Sequence, residues 1–175
     1  GVLLADDPYR SLDTAERLRA QLQGVHPGQS ETLRKHTAEG LVLAALSSDE
    51  LARAASGIVK RLLDDAFADD TGQVLGTSAP ALPVLAEAAP DEFLTVVSAD
   101  LSKSSPTART LFRDSEKGTF GPSSLHPDLL WALENLCWSS DHYGRSAMAL
   151  AALVDVDIDR DERRGNRPIE SLEKI

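Results

Sequence analysis

The chain has 175 residues, enough for one domain with a real core, and its 42% hydrophobic and 26% charged content is that of a soluble globular protein. Aromatic residues make up only 5%, so leucine and alanine have to fill the interior. A net charge of −10 with pI near 4.8 argues against a nucleic-acid-binding domain, which needs a basic face to neutralise phosphates.

Residues Gly1–Ala5 are too short for the apolar core of a signal peptide and lack a basic start. They read as the end of a helix, stopped by Asp6-Asp7-Pro8. Asp13 and Glu16 form a capping box, with Asp in place of Ser or Thr. A helix follows to about Gln23 with Leu18 and Leu22 on one side, and Gly24 is its expected stop. Ser30 opens the next helix through Leu33, Thr37, Leu41, Ala44 and Ala45. Ser47 and Glu50 make a second capping box, and the helix after it places Leu51, Ala55, Ile58, Leu62 and Ala66 on one face. Asp69-Asp70-Thr71-Gly72 ends that helix, and Gly72 to Ala79 reads as a loop.

Pro80 and Pro83 suit the first turn of a helix carrying Leu82, Leu85, Ala86 and Ala89. Pro90-Asp91-Glu92 starts another helix at once, with Phe93, Leu94, Val97 and Leu101 on its core face. The tight connection makes the two antiparallel neighbours. Residues 102–124 form the longest irregular segment, and Leu111, Phe112 and Phe120 are expected to pack it back onto the helices.

Residues 125–154 read as two helices joined by a short turn, each apolar on more than one side. Leu129, Leu133 and Leu136 share one face, widened by Leu130 and Cys137. Trp131 and Trp138 lie seven apart on another side, with Glu134 and Asn135 between them. Their expected role is a second core contact, since buried aromatics dominate core energetics. The alternative is a binding groove lined by indole rings. Ser139, Ser140 and Asp141 are candidate caps for the second helix, whose expected core face is Tyr143, Ala147, Leu150, Ala151 and Val154. Asp155 to Asn166 is a charged loop, and Pro168 opens a last helix with Ile169, Leu172 and Ile175. Ile175, an apolar last residue, points to a longer parent chain.

Three helix pairs emerge, over residues 28–70, 78–104 and 125–154. The segments around Leu85 and Leu133 match in pattern at a spacing of 48 residues, slightly above the roughly 40–47 of HEAT-type units. The fold class expected is all-α, with antiparallel helix pairs stacked as a short HEAT-like α-solenoid or an irregular bundle in a single domain.

No catalytic constellation rises above background. Asp155, Asp157 and Asp159 have calcium-loop spacing, but Arg160 stands where a glycine is needed and Asn166 where a bidentate Glu is needed. His126, Cys137, Asp141 and His142 match no zinc-ligand spacing. Gly144-Arg145-Ser146-Ala147-Met148 lacks the second glycine of a nucleophile elbow. No cofactor and no metal are therefore expected. A single cysteine, Cys137, permits no intrachain disulfide and fits a cytoplasmic protein, and no apolar run approaches a membrane span.

Leu129-Leu130-Trp131-Ala132-Leu133-Glu134, then Trp138-Ser139, Asn166-Arg167-Pro168 and Ser171-Leu172 carry a resemblance. Residues Phe120 to Ile175 are similar to a segment of the helical-repeat regions of large, mostly uncharacterised bacterial multidomain proteins. Asp157-Ile158-Asp159-Arg160 departs from the Asp-Pro-Gly-Gly-like turn of that pattern. The resemblance implies a module of a larger intracellular protein and brings no activity with it. Asn166 is expected to cap the last helix, with Arg167 and Pro168 in its first turn.

The expected function is a non-catalytic protein-interaction or scaffold module. Its partners would be proteins or other domains of the same chain, and neither nucleic acid nor membrane. Candidate binding residues are Trp131, Trp138, Glu134, Asn135, Arg145 and Arg167. The alternative is an enzyme or ligand-binding domain with a site near the 102–124 segment and the 125–154 hairpin, using His126, His142, Asp141 and Arg145.

Overall fold

A computed structural model describes residues 2–4, 8, 12, 14–25, 28–112, 115–118, 121–156 and 166–175, some of them by backbone alone. Nine α-helices are found among them: α1 (Thr14–Leu22), α2 (Glu31–Ser47), α3 (Asp49–Ala68), α4 (Gln73–Ser78), α5 (Leu82–Ala88), α6 (Pro90–Leu101), α7 (His126–Leu136), α8 (Tyr143–Val156) and α9 (Pro168–Lys174). The fold is all-α in its packed body. One short antiparallel hairpin, β1 (Ser115–Gly118) with β2 (Gly121–Ser123), lies between α6 and α7, pairing Ser115 with Ser123 and Gly118 with Gly121.

The helices stack in two layers. In one layer α2 packs on α5 and α5 on α7; in the other α3 packs on α6 and α6 on α8. Within each pair α2 meets α3, α5 meets α6, and α7 meets α8. Each pair thus rests on the next in chain order, which is the arrangement of a short α-solenoid. The helix α9 closes over α8 and α7, and a 3-10 turn at Val2–Leu4 lies against α2, α3 and α4.

Local chemistry explains the joints. Ser30 caps α2, its Oγ accepting from Leu33 N at 3.1 Å. Ser48 ends α2 and caps α3, accepting from Leu51 N at 3.3 Å. The expected cap, Ser47, is instead the last residue of α2, and its hydroxyl donates to the Leu43 carbonyl. Ala89 likewise ends α5 and opens α6, with Pro90 at the first helical position.

The expected loop over residues 72–79 contains α4. Glycines, Thr and Ser give that stretch poor intrinsic propensity. Asp69 rescues it: Oδ1 accepts from Thr71 N and Oγ1, and Oδ2 from Val74 N at 2.9 Å, capping a helix whose own N-cap is Gly72. Thr71 hydroxyl and the Val74 backbone hold the Asp69 carboxyl below its ordinary 3.8.

The core is built of leucine and alanine around Phe93, with Leu63, Leu75, Leu82, Leu85, Leu94, Leu129, Leu133, Leu150 and Leu153 fully buried. Each such side chain contributes roughly 1.5–3 kcal/mol by leaving water. Two faces differ from the periodicity-based expectation. On α3 the buried stripe is Ala55, Val59, Leu63, Ala66 and Phe67, leaving Leu51 and Ile58 exposed. On α8 it is Ser146, Ala149, Leu150, Leu153 and Val156, leaving Tyr143 and Ala151 outside. In both helices apolar residues occupy adjacent stripes, and the neighbouring layer selects which one is covered.

The segment after α6 is anchored by a buried carboxylate. Asp100, 1% exposed, accepts from Thr107 N at 3.0 Å, Ala108 N at 2.9 Å and Lys103 Nζ at 2.8 Å. Lys103 Nζ and Thr107 Oγ1 also donate to the Phe67 carbonyl at the end of α3. A 3-10 turn over Thr107–Phe112 therefore starts on a satisfied acceptor, and it buries Leu111 and Phe112.

Candidate functional site

The helix α7 sorts its residues sharply. Leu129, Leu130, Ala132, Leu133 and Leu136 face α5, α8 and the 3-10 turns. Trp131 and Asn135, four apart, share a stripe on the other side, and Trp138 follows in the turn after the helix, its N–H donating to the Asn135 carbonyl at 3.3 Å. Trp131 is 48% exposed and Trp138 is 87% exposed, and Asn135 faces solvent between them. The expectation that the tryptophans form a second core contact is overturned. The layer has α5 on one side and α9 near the other, and neither element covers this stripe.

The other candidate binding residues hold the fold together. Glu134 is mostly buried and lies 3.7 Å from Lys174 Nζ, tying α7 to α9. Arg145, in the first turn of α8, reaches back to the first turn of α6. Its Nη1 donates to Asp91 Oδ1 at 2.8 Å, and its Nη2 donates to the Asp91 carbonyl at 3.2 Å and Thr95 Oγ1 at 2.9 Å. Arg167 precedes α9 and is its N-cap residue, in place of the expected Asn166. The Arg167 backbone N–H donates to Glu170 Oε2 at 3.3 Å. Asn166 instead adopts a left-handed φ of 56°.

Of the four residues considered for an enzyme site, His126 lies apart, while His142 and Arg145 meet on Asp91. His126 starts α7 and is 1% exposed. Its Nε2 faces the Asn166 carbonyl at 2.7 Å, so Nε2 carries the proton, and Nδ1 sits 2.7 Å from Ser124 Oγ. The ring stacks on Phe112 with centroids 4.8 Å apart. His142 and Asp141 sit beyond the other end of α7, which is about 16 Å long. His142 Nδ1 approaches Asp91 Oδ1 to 3.9 Å, joining Arg145 on the same carboxylate, while Asp141 faces solvent.

Cys137 is half-buried beside Glu134. Burial pushes its thiol above the usual value; Ser146 opposes this in part, and the Glu134 carboxylate adds a lesser rise. Among the described residues no group of three or more His, Cys, Asp or Glu side chains is placed to hold a metal ion. Of the calcium-like run from Asp155 to Asp161, Asp155 is an exposed residue of α8, and residues 157–161 lie outside the described residues. Near the 102–124 segment a cleft of about 300 Å³ is lined by Asp70, Ser105, Pro106, Thr107, Arg109 and Thr110. The N–H groups of Thr107 and Ala108 are already engaged by Asp100 and do not serve that cleft. Among the described residues no helix is long and apolar enough to cross a membrane.

The residues that sequence reasoning missed are Asp91 and Thr95. Asp91 was legible as a charge at a helix start, but nothing in the chain pairs it with an arginine 54 residues away. The chain matches no family model, no curated protein and no solved structure.

Proposed function

We propose that this chain is a protein-interaction or scaffold module whose partner docks on the Trp131–Asn135–Trp138 surface of α7 and the turn after it. The observation behind this reading is the exposure of both indoles, Trp131 on α7 and Trp138 in the turn directly after it. Tryptophan is the residue most enriched among binding hot spots, because it offers a large rigid contact area and a single N–H donor. Asn135 supplies donors and an acceptor between the rings. The helix is itself well anchored, through Leu129, Leu133 and the Glu134–Lys174 pair, so Trp131 and Asn135 are presented by a rigid element, with Trp138 in the turn that closes it. Stacked helix pairs suit this role because they offer extended surfaces. A net charge of −10 favours a protein partner over nucleic acid. The reading also carries the cytoplasmic, non-catalytic, cofactor-free character expected for a module within a larger protein.

The test is affinity capture with the chain carrying Trp131→Ala and Trp138→Ala beside the unaltered chain. Partners retained by the unaltered chain are expected to be lost from the double variant, while its Tm stays within a few degrees. Retention of the same partners by both would sink the proposal.

A further inference from the structure

The opposite end of the stack carries a second unpartnered surface. Leu51, Ala54 and Ile58 recur at i, i+3 and i+7 on α3 and are all exposed. Leu46, 79% exposed, flanks the Ser48 joint on the α2 side, with Leu43 one turn earlier at 67%. This face lies away from α5 and α6, which take the other side of the pair.

Two opposite charges edge the stripe. Among the described residues Glu50 makes no ion pair, and Arg61, four residues before the exposed Asp65, makes none either, its guanidinium donating to the Gly57 carbonyl. If two α3 helices are laid antiparallel about a two-fold axis, the register that places Ile58 against Ala54 of the second copy also sets Glu50 beside Arg61 of that copy. Large then meets small, and each free charge meets its opposite, twice by symmetry.

With 20 residues, α3 offers an edge about 30 Å long for that contact.

We infer that the outer face of the α2–α3 pair binds a second copy of this chain, forming a two-fold dimer through antiparallel α3 helices. The dimer leaves the tryptophan stripe at the far end of each stack free, so the two surfaces can be tested apart. Sedimentation equilibrium of the unaltered chain up to about 100 μM is expected to show a dimer. Glu50→Arg and Arg61→Glu, each alone, are expected to raise the dissociation constant by tenfold or more through like-charge contact, and the double exchange to restore it. Ile58→Asp is expected to give a monomer with an unchanged helical circular-dichroism spectrum. A monomeric unaltered chain would overturn the inference. So would a dimer that Ile58→Asp leaves intact, or single charge variants that the double exchange does not rescue. Dimerisation that appears only when Leu18→Glu and Leu22→Glu are introduced would assign the face to α1 of the same chain instead.

Discussion

Arg145 and Asp91 join the third helix pair to the second: a guanidinium at the start of α8 clasps both the carboxylate and the carbonyl at the start of α6, and takes the Thr95 hydroxyl as well. The contact is largely solvent-exposed, so its worth is modest. Arg145→Ala is expected to lower unfolding free energy by about 1 kcal/mol, a Tm loss of about 2–4 °C. Arg145→Lys, which keeps charge but not the fork, should recover only part of it. Thermal unfolding of the three proteins checks this, and the loss should shrink at high salt.

Asp100 is expected to be far less tolerant. Asp100→Ala strands the N–H groups of Thr107 and Ala108 in the interior and frees Lys103 from its buried partner. Each orphaned donor costs about 1–3 kcal/mol, so a total near 3 kcal/mol, or a Tm loss of about 6–12 °C, is expected. Asp100→Asn keeps an acceptor and should cost less. Urea titrations at neutral pH distinguish the two variants.

Gly24 and Gly72 provide an internally controlled comparison. Both adopt left-handed φ, 78° and 69°, so alanine costs about 1–2 kcal/mol at either. At Gly24 a Cβ meets nothing, whereas at Gly72 it would collide with the Thr110 side chain. Gly72→Ala is therefore expected to destabilise clearly more than Gly24→Ala, and equal melting temperatures would contradict the packing described for α4.

Asp69 makes stability depend on acid. Its carboxyl is held below the ordinary value by the Thr71 hydroxyl and the Val74 N–H, so the folded state binds the proton less readily than the unfolded one. The stabilisation is fully present above the ordinary value of 3.8 and fades as pH falls through the lower folded one. The stability difference between the unaltered chain and Asp69→Asn should stay flat above about pH 5 and narrow below about pH 4.

Cys137 should be slow toward alkylating agents. Burial and the Glu134 carboxylate disfavour its thiolate, which is the reactive form. Labelling by iodoacetamide at pH 7 is expected to lag behind a free thiol and to quicken only in alkali.

The helix-bounding chemistry was legible in the residues themselves. Ser30, the prolines at 83, 90 and 168, and Gly24 each do what local rules say, whereas Pro80 falls in a separate 3-10 turn before α5 instead of in its first turn. What eluded that reading was set by distant neighbours. The helix α4 exists because Asp69 reaches its free N–H groups and Leu75 is fully buried, neither of which is visible as propensity in Gln-Val-Leu-Gly-Thr-Ser. The choice between Ile58 and Val59 as the inward residue of α3 depends on where α6 lies. For the candidate site, the periodicity of α7 correctly separated the tryptophans from the leucine face, but whether anything covers them is a property of the assembled layers. Arg145 was named as a candidate contact and turned out to be occupied by Asp91 from the preceding pair.

Ser48 and Ala89 each serve as the end of one helix and the beginning of the next, so two of the three hairpins turn on a single residue. Such elbows have no slack. One extra residue at either would swing the following helix by about 100° about its own axis and present the wrong stripe to the opposite layer. Between α7 and α8, where residues 137–142 make the connection, the same insertion has room to bulge outward. Length variation among related chains should therefore gather at that wider bend and spare the two narrow ones.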